Sequence, residues 1–283
     1  MKHPDSSLFP AFAAVAALLL TAAAISASII YVYRSDNTVK EISVSEIATP
    51  KAELYKDSFE RSGSFTTPYG TFTPIESVLD INEYMTKNPV VLTEKETLPY
   101  ICGEQGDPDE IRKTIKELSD GICSEAHTDS EKAEAIAMWA GLNVAYDFDA
   151  AKETGDLSVT SLEAILTNNF RTTCGGFANL YSALCSAQGI QVLNMKGGTS
   201  SDGYTRAQLE SAPANHEWNG VKLDGIWYYT DCTWISDLSF SDGALSGGTE
   251  IMPFYALFSF GEMSVEHRID RCEYRNYGFE NVK

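Results

Sequence analysis

His216-Glu-Trp-Asn-Gly-Val-Lys-Leu-Asp-Gly-Ile-Trp-Tyr-Tyr-Thr-Asp231, running on into Cys232-Thr-Trp234, is the stretch on which the reading of this chain turns. An Asp-Gly pair between two apolar-rich runs is a hairpin signal, because both residues tolerate the positive φ angles that a two-residue turn requires. With Asp224-Gly225 as the turn, Leu223 faces Ile226, Val221 faces Tyr228, Trp218 faces Asp231 and His216 faces Thr233. Residues two apart on a strand share a face, so His216, Trp218, Asp231 and Thr233 are expected on one side. His216 and Asp231 are then diagonal neighbours, ~7–8 Å apart at the backbone and within side-chain reach. A carboxylate there can hold the tautomer of the imidazole and stabilise its charged form. Cys232 points to the other face, as a packing residue.

Upstream, the period changes from strand to helix. After Cys174-Gly175-Gly176, the residues Phe177, Leu180, Tyr181, Leu184 and Cys185 recur at helical spacing, and Gly189 marks the stop. A cysteine at a helix start sits where the dipole and free N–H groups favour the reactive thiolate. Such a thiol needs a base, and the chain has four histidines. His3 precedes the apolar N-terminus, His127 opens a helix among acids, and His267 falls in a polar C-terminal stretch. His216 alone opens a strand downstream of the cysteine. Cys174, His216 and Asp231 are therefore the candidate catalytic set. The backbone N–H of Cys174 is the natural oxyanion donor, with Asn168 or Asn169 as a candidate second donor.

Earlier helices are signalled by Asp107-Pro108-Asp109-Glu110 (ending at Gly121), by Thr128 to Glu131, and by Thr160 to Glu163. Later come a short strand from Ile190 to Met195, a polar loop over 197–214, another over 236–250, and a strand candidate from Ile251 to Phe260. Helices first and strands later predict an α+β domain over residues 101–283 with a segregated antiparallel sheet. The stretch 35–100, rich in Ser, Thr, Lys, Glu and Pro, reads as a stalk and irregular extension. Residues 1–34 read as a membrane anchor. No charged residue occurs from Ser6 to Tyr33, and the apolar run from Leu8 to Val32 is long enough for a spanning helix. That run outlasts the hydrophobic region of a cleaved signal peptide, which makes a retained anchor the expectation.

The formal charge of −19 repels phosphate backbones and argues against nucleic-acid partners. The six scattered cysteines form no CxxC pair and no zinc-ligand spacing, so no metal and no cofactor is expected. They are read mostly as buried thiols.

Three segments together resemble the core motifs of the bacterial transglutaminase-like superfamily: Cys174-Gly-Gly-Phe-Ala-Asn-Leu-Tyr, His216-Glu-Trp, and Asp231-Cys-Thr-Trp234. The segment from Ala135 to Trp139 through Tyr146-Asp147 resembles the helix and Tyr-Asp pair that precede them, with Trp139, Tyr146 and Asp147 read as scaffold. Tyr255 to His267 resembles the tail of many secreted members. Thr172-Thr173 before the cysteine and Cys232 depart from the usual pattern. The resemblance implies a papain-like fold and a Cys–His–Asp triad at Cys174, His216 and Asp231. It also implies acyl transfer from an amide or peptide carbonyl to water or to an amine, with hydrolysis slightly ahead. An anchored enzyme of this type is expected to face outward, acting on surface proteins or cell-wall peptides. The rival expectation is a surface protein-binding module on the same fold.

Overall fold

The computed structural model describes residues 89–282 apart from 153–156, 200–208, 210, 249–250, 259–262 and 264–265, together with four short strands earlier in the chain. The apolar run over residues 6–28 and most of the stalk lie outside the described residues. Ile29–Tyr33 (β1), expected as the end of a membrane helix, is instead a strand antiparallel to Val39–Ser43 (β2). The β-branched Ile29, Ile30 and Val32 and the two tyrosines are strand formers, which explains the difference. Among the described residues no helix is long and apolar enough to cross a membrane. A second small ladder, Phe65–Thr67 (β3) with Gly70–Phe72 (β4), falls within the supposed stalk.

The globular body begins before residue 101. Val90–Leu92 (β5) leads into Glu94–Ile101 (α1), where Thr93 and Glu96 form a capping box and Ile101 is fully buried. The sequence reading missed this helix because Pro99 lies inside it. The next two helices start where their caps predict. Asp107 accepts from the Asp109 N–H at the head of Pro108–Ile122 (α2), and a Thr128–Glu131 capping box opens Asp129–Asn143 (α3). Ala145–Asp147 (β6), Phe148–Lys152 (α4), Leu162–Thr167 (α5) and Arg171–Thr172 (β7) then lead to Cys174–Ala187 (α6).

The apolar stripe of α6 is buried against the main sheet: Phe177, Leu180, Tyr181, Leu184 and Cys185 are all at most 1% exposed. That sheet comprises Gln191–Thr199 (β8), His216–Leu223 (β9), Ile226–Thr230 (β10), His267–Arg275 (β13) and β5, in the order β10-β9-β8-β13-β5. All its pairings are antiparallel except β13 with β5. Two buried amides pin α6 to its surroundings. Asn219 on β9 donates to the Ala178 carbonyl (3.0 Å), and Asn179 donates to the carbonyls of Tyr100 and Thr160.

The Asp224-Gly225 turn forms with positive φ at both residues, and its register runs from Leu223↔Ile226 to Asn219↔Thr230 as expected. The expected pairings of Trp218 with Asp231 and His216 with Thr233 do not form, because the second strand ends at Thr230. Asp231 gives its N–H to the Tyr255 carbonyl and becomes the cap of a short helix, Cys232–Ile235 (α7). A second sheet, β12-β11-β6-β7, contains Ser239–Ser241 (β11) and Ala244–Ser246 (β12). The described residues 251–258 of the expected strand from Ile251 to Phe260 do not form it. Pro253, which lacks an N–H, opens a 3-10 turn, leaving single bridges at Ile251 and Phe258.

Candidate active site

Four segments converge at one end of α6. Its Thr173 cap makes no side-chain hydrogen bond, and the N–H groups of Gly176 and Phe177 go to the Thr173 carbonyl. Among the described residues no side chain caps the earliest N–H groups of the helix, at Cys174 and Gly175. Gly176 has no room for a side chain: a Cβ there would lie 1.8 Å from Thr172 Oγ1, whose hydroxyl donates to the Val159 carbonyl. The glycine therefore admits Thr172 and so fixes how the strand feeds the helix.

Cys174 is half-buried, whereas the other five cysteines are buried; all six are free thiols. Its thiol lies near enough to His216 to act on the charge of the imidazole. The other side of that ring meets Asp231, with Nε2 at 2.6 Å from Oδ2. Nε2 being engaged, Nδ1 is the nitrogen left for the sulfur. Trp218 and Trp234 stack on the imidazole at 5.9 and 5.6 Å between ring centroids, which restricts its rotation. Asp231 is fully buried, and its Oδ1 accepts the Trp234 N–H as the α7 cap. The same residue thus ends a strand, starts a helix and orients a histidine.

Sequence reasoning passed over a further member. His267, the first residue of β13, points its Nε2 at the same Asp231 oxygen at 3.0 Å and is 2% exposed. The available signal was the family-like tail ending at this histidine. Burial holds His267 below its ordinary pKa, so it is a neutral donor. Burial also opposes charge on His216, but the Asp231 carboxylate and the Cys174 contact outweigh it and raise the pKa to about 10. Burial would push Asp231 upward; the charge and hydrogen bond of His216, with help from His267, instead hold it well below the usual carboxylate range. The outcome is one carboxylate between a charged and a neutral imidazole. Asp231, His216 and His267 are also the described side chains grouped closely enough to consider as metal ligands. Both imidazoles, however, donate directly to one oxygen, an arrangement of hydrogen bonds rather than of ligands splayed around an ion.

Asn168 and Asn169 are not gathered at the thiol. Asn168 caps the end of α5 and its side chain holds Arg171, while Asn169 is exposed with φ +51° in the left-handed turn that follows. The Asn168 amide serves the turn and Asn169 points to solvent, which corrects the expectation of an oxyanion role. Tyr146, read as scaffold, belongs to the site. Burial, with the nearby charge of Cys174, raises its pKa to about 12. With Phe148, His216, Trp234, Asp237 and Ser239 it lines an open cleft of about 360 Å³. Asp147 caps α4 instead, accepting from the Asp149 and Ala150 N–H groups.

Glu266, beside this cluster, accepts from Tyr255 Oη at 3.2 Å and has a pKa raised by burial to about 7. A carboxyl whose folded pKa exceeds its unfolded value costs no stability below the unfolded value. The cost grows as pH rises toward the folded one. Wild type should therefore lose stability relative to Glu266→Gln between about pH 4.5 and pH 7, by an amount on the order of 2 kcal/mol after allowance for solvent screening. Melting temperatures of the two proteins across that range provide the check; parallel curves would contradict it.

Comparison with known proteins places this arrangement in context. The chain is 32% identical over 128 residues to mouse Kyphoscoliosis peptidase, covering 45% of this chain and 19% of that protein. It is 34% identical over 124 residues to the human Kyphoscoliosis peptidase, covering 44% and 18%. The matched segment thus spans less than a fifth of the length of either relative. The crystal structure of a TGase aligns with a TM-score of 0.35 at 18% identity, over 54% of this chain and 36% of that one. Residues 116–232, which carry α6, the hairpin and all three expected triad positions, match the family model of the transglutaminase-like superfamily.

Proposed function

We propose that this chain is a cysteine enzyme that cleaves amide or peptide bonds through an acyl-enzyme on Cys174. The observation that carries the reading is the Cys174 thiol at a helix start beside His216, whose ring meets Asp231 at 2.6 Å. His216 takes the thiol proton, and the thiolate attacks the carbonyl carbon. The resulting oxyanion meets the Cys174 and Gly175 N–H groups and the positive end of α6. Collapse of the tetrahedral intermediate breaks the C–N bond, and the His216 proton leaves with the amine. Water then attacks the thioester, with His216 as base, releasing the carboxylic acid and the thiol. Asp231 holds the ring and stabilises its charge throughout.

Water is the simplest acyl acceptor, and the mouse and human relatives described above are named as peptidases. The cleft beside His216 is open enough for an amine to enter instead. Incubating the enzyme with a peptide library, with and without a primary amine, separates these outcomes by mass. Hydrolysed products in both conditions are expected. Amine-linked products displacing them would make the protein a crosslinking acyltransferase, and intact peptides in both would contradict the enzymatic reading. Retention of peptides without turnover would favour a binding module.

A further inference from the structure

Consecutive residues on β9 face opposite ways, so His216 lines the aromatic cleft while Glu217 enters a second cavity across the sheet. This cavity, about 80 Å³, lies beside the nucleophile. Glu217 Oε2 stands 3.4 Å from where a Cβ on Gly175 would be, and Lys196 is close enough to Cys174 to sense its charge. Asn194, Glu273 and Arg275 form its floor, each at most 6% exposed. Lys196 and Arg271, both about half exposed at their side chains, stand at the mouth.

Two observations point to a ligand. Asn194 is 3% exposed, yet neither its Nδ2 nor its Oδ1 has a hydrogen-bond partner. A buried amide left in that state is destabilising unless an occupant pairs with it. Secondly, among the described residues Lys196, Arg271 and Arg275 share Glu217 and Glu273 as their carboxylate partners. Arg271 and Arg275 divide the two oxygens of Glu273 at 2.7 and 2.8 Å, and Lys196 takes Glu217 at 2.9 Å. Among the described residues one positive charge of this cluster is left over, in a chain whose net charge is −19. Arg275 is fixed on the Tyr100 ring (3.7 Å) and on Asn179, so the mouth cations are the ones free to re-aim.

We propose that this cavity is a subsite for a carboxylate carried by the peptide substrate close to the scissile bond, held by Arg271, Lys196 and the Asn194 amide. This rests on the reading of Cys174 as nucleophile, which locates the cavity relative to the bond broken. A planar carboxylate suits the cavity's size, the guanidinium fork and the Asn194 donor together. Asn194 is then a residue kept for recognition at the expense of stability.

The test is binding to the Cys174→Ala protein, which separates recognition from turnover. The probes are acetylated pentapeptide amides of Ala and Gly carrying one Glu, Gln or Lys at each position in turn. At one position Glu should bind about 10-fold more tightly than Gln, and Lys more weakly than either. Added Arg271→Gln or Asn194→Leu should bring the Glu-to-Gln ratio toward one, with Asn194→Leu also raising the melting temperature. Equal binding of Glu and Gln peptides at every position, or a preference that survives both substitutions, would overturn the proposal and leave the cavity holding solvent only. An acidic preference in binding, with no turnover by wild type, would sustain the subsite and refute the nucleophile. Turnover without the preference would do the reverse.

Discussion

Cys174→Ala is expected to remove essentially all turnover, a loss of up to ~10⁶ by analogy with nucleophile removal from a hydrolase triad. Its stability cost should stay within ~1 kcal/mol, because the side chain is half-buried at a helix start and fills no core space. Cys185→Ala should behave in the opposite way. Cys185 is fully buried on the same helix, so its removal opens a cavity costing about 1–2 kcal/mol while leaving the chemistry intact. Peptide-hydrolysis rates and thermal melts of the two variants side by side supply the check. Activity surviving Cys174→Ala would mean that another group does the chemistry.

Asp231→Asn is the second large effect, and the structure makes it more severe than volume alone suggests. Asp231 Oδ2 receives two imidazole donors, from His216 and His267, while Oδ1 caps α7. In the variant Oδ1 can still cap, but the amide nitrogen then faces two N–H groups. His216 must turn, or shift its proton to the nitrogen facing Cys174, where it no longer serves as base. The matching change in a serine triad costs ~10⁴ in turnover, and a thiolate–imidazolium pair leans less on its carboxylate, so a loss on the order of 10³ is expected. A stability loss of roughly 1–3 kcal/mol should accompany it, from the buried donors left unpaired. Asp224→Asn is the control, since Asn-Gly serves the observed turn equally well. Equal activity of the two variants would show that His216 does not depend on Asp231.

The parts of the fold set by local chemistry were legible in the sequence. The α2 and α3 starts follow from their capping residues, and the 216–230 hairpin follows from one Asp-Gly turn. What escaped depends on distant partners. β13 looked polar because it carries Arg268, Asp270, Arg271, Glu273 and Arg275. It occupies an interior position in the sheet because Glu273 and Arg275 are buried as an ion pair, which no periodicity reveals. His267 was overlooked for the same reason. The expected approach of His216 to Asp231 came about by another route: the pairing argument assumed a strand through Trp234, whereas the chain turns into α7 after Thr230. Asn168 failed as a candidate because its side chain is bonded to Arg171, and Asn169 because it is exposed in a left-handed turn.

Alkylation of Cys174 by iodoacetamide at pH 6, followed by peptide mass mapping in native wild type and His216→Gln, tests most directly whether the histidine activates the thiol. At that pH an unassisted thiol is almost wholly protonated and slow to react, whereas a neighbouring imidazolium maintains the thiolate. Exposure alone would make Cys174 more reactive than Cys185, so the informative quantity is the rate at Cys174 in the two proteins. The expected result is a fall of about 10-fold or more in His216→Gln. The same rate in both would contradict the assignment of His216 as the base of a Cys174 nucleophile.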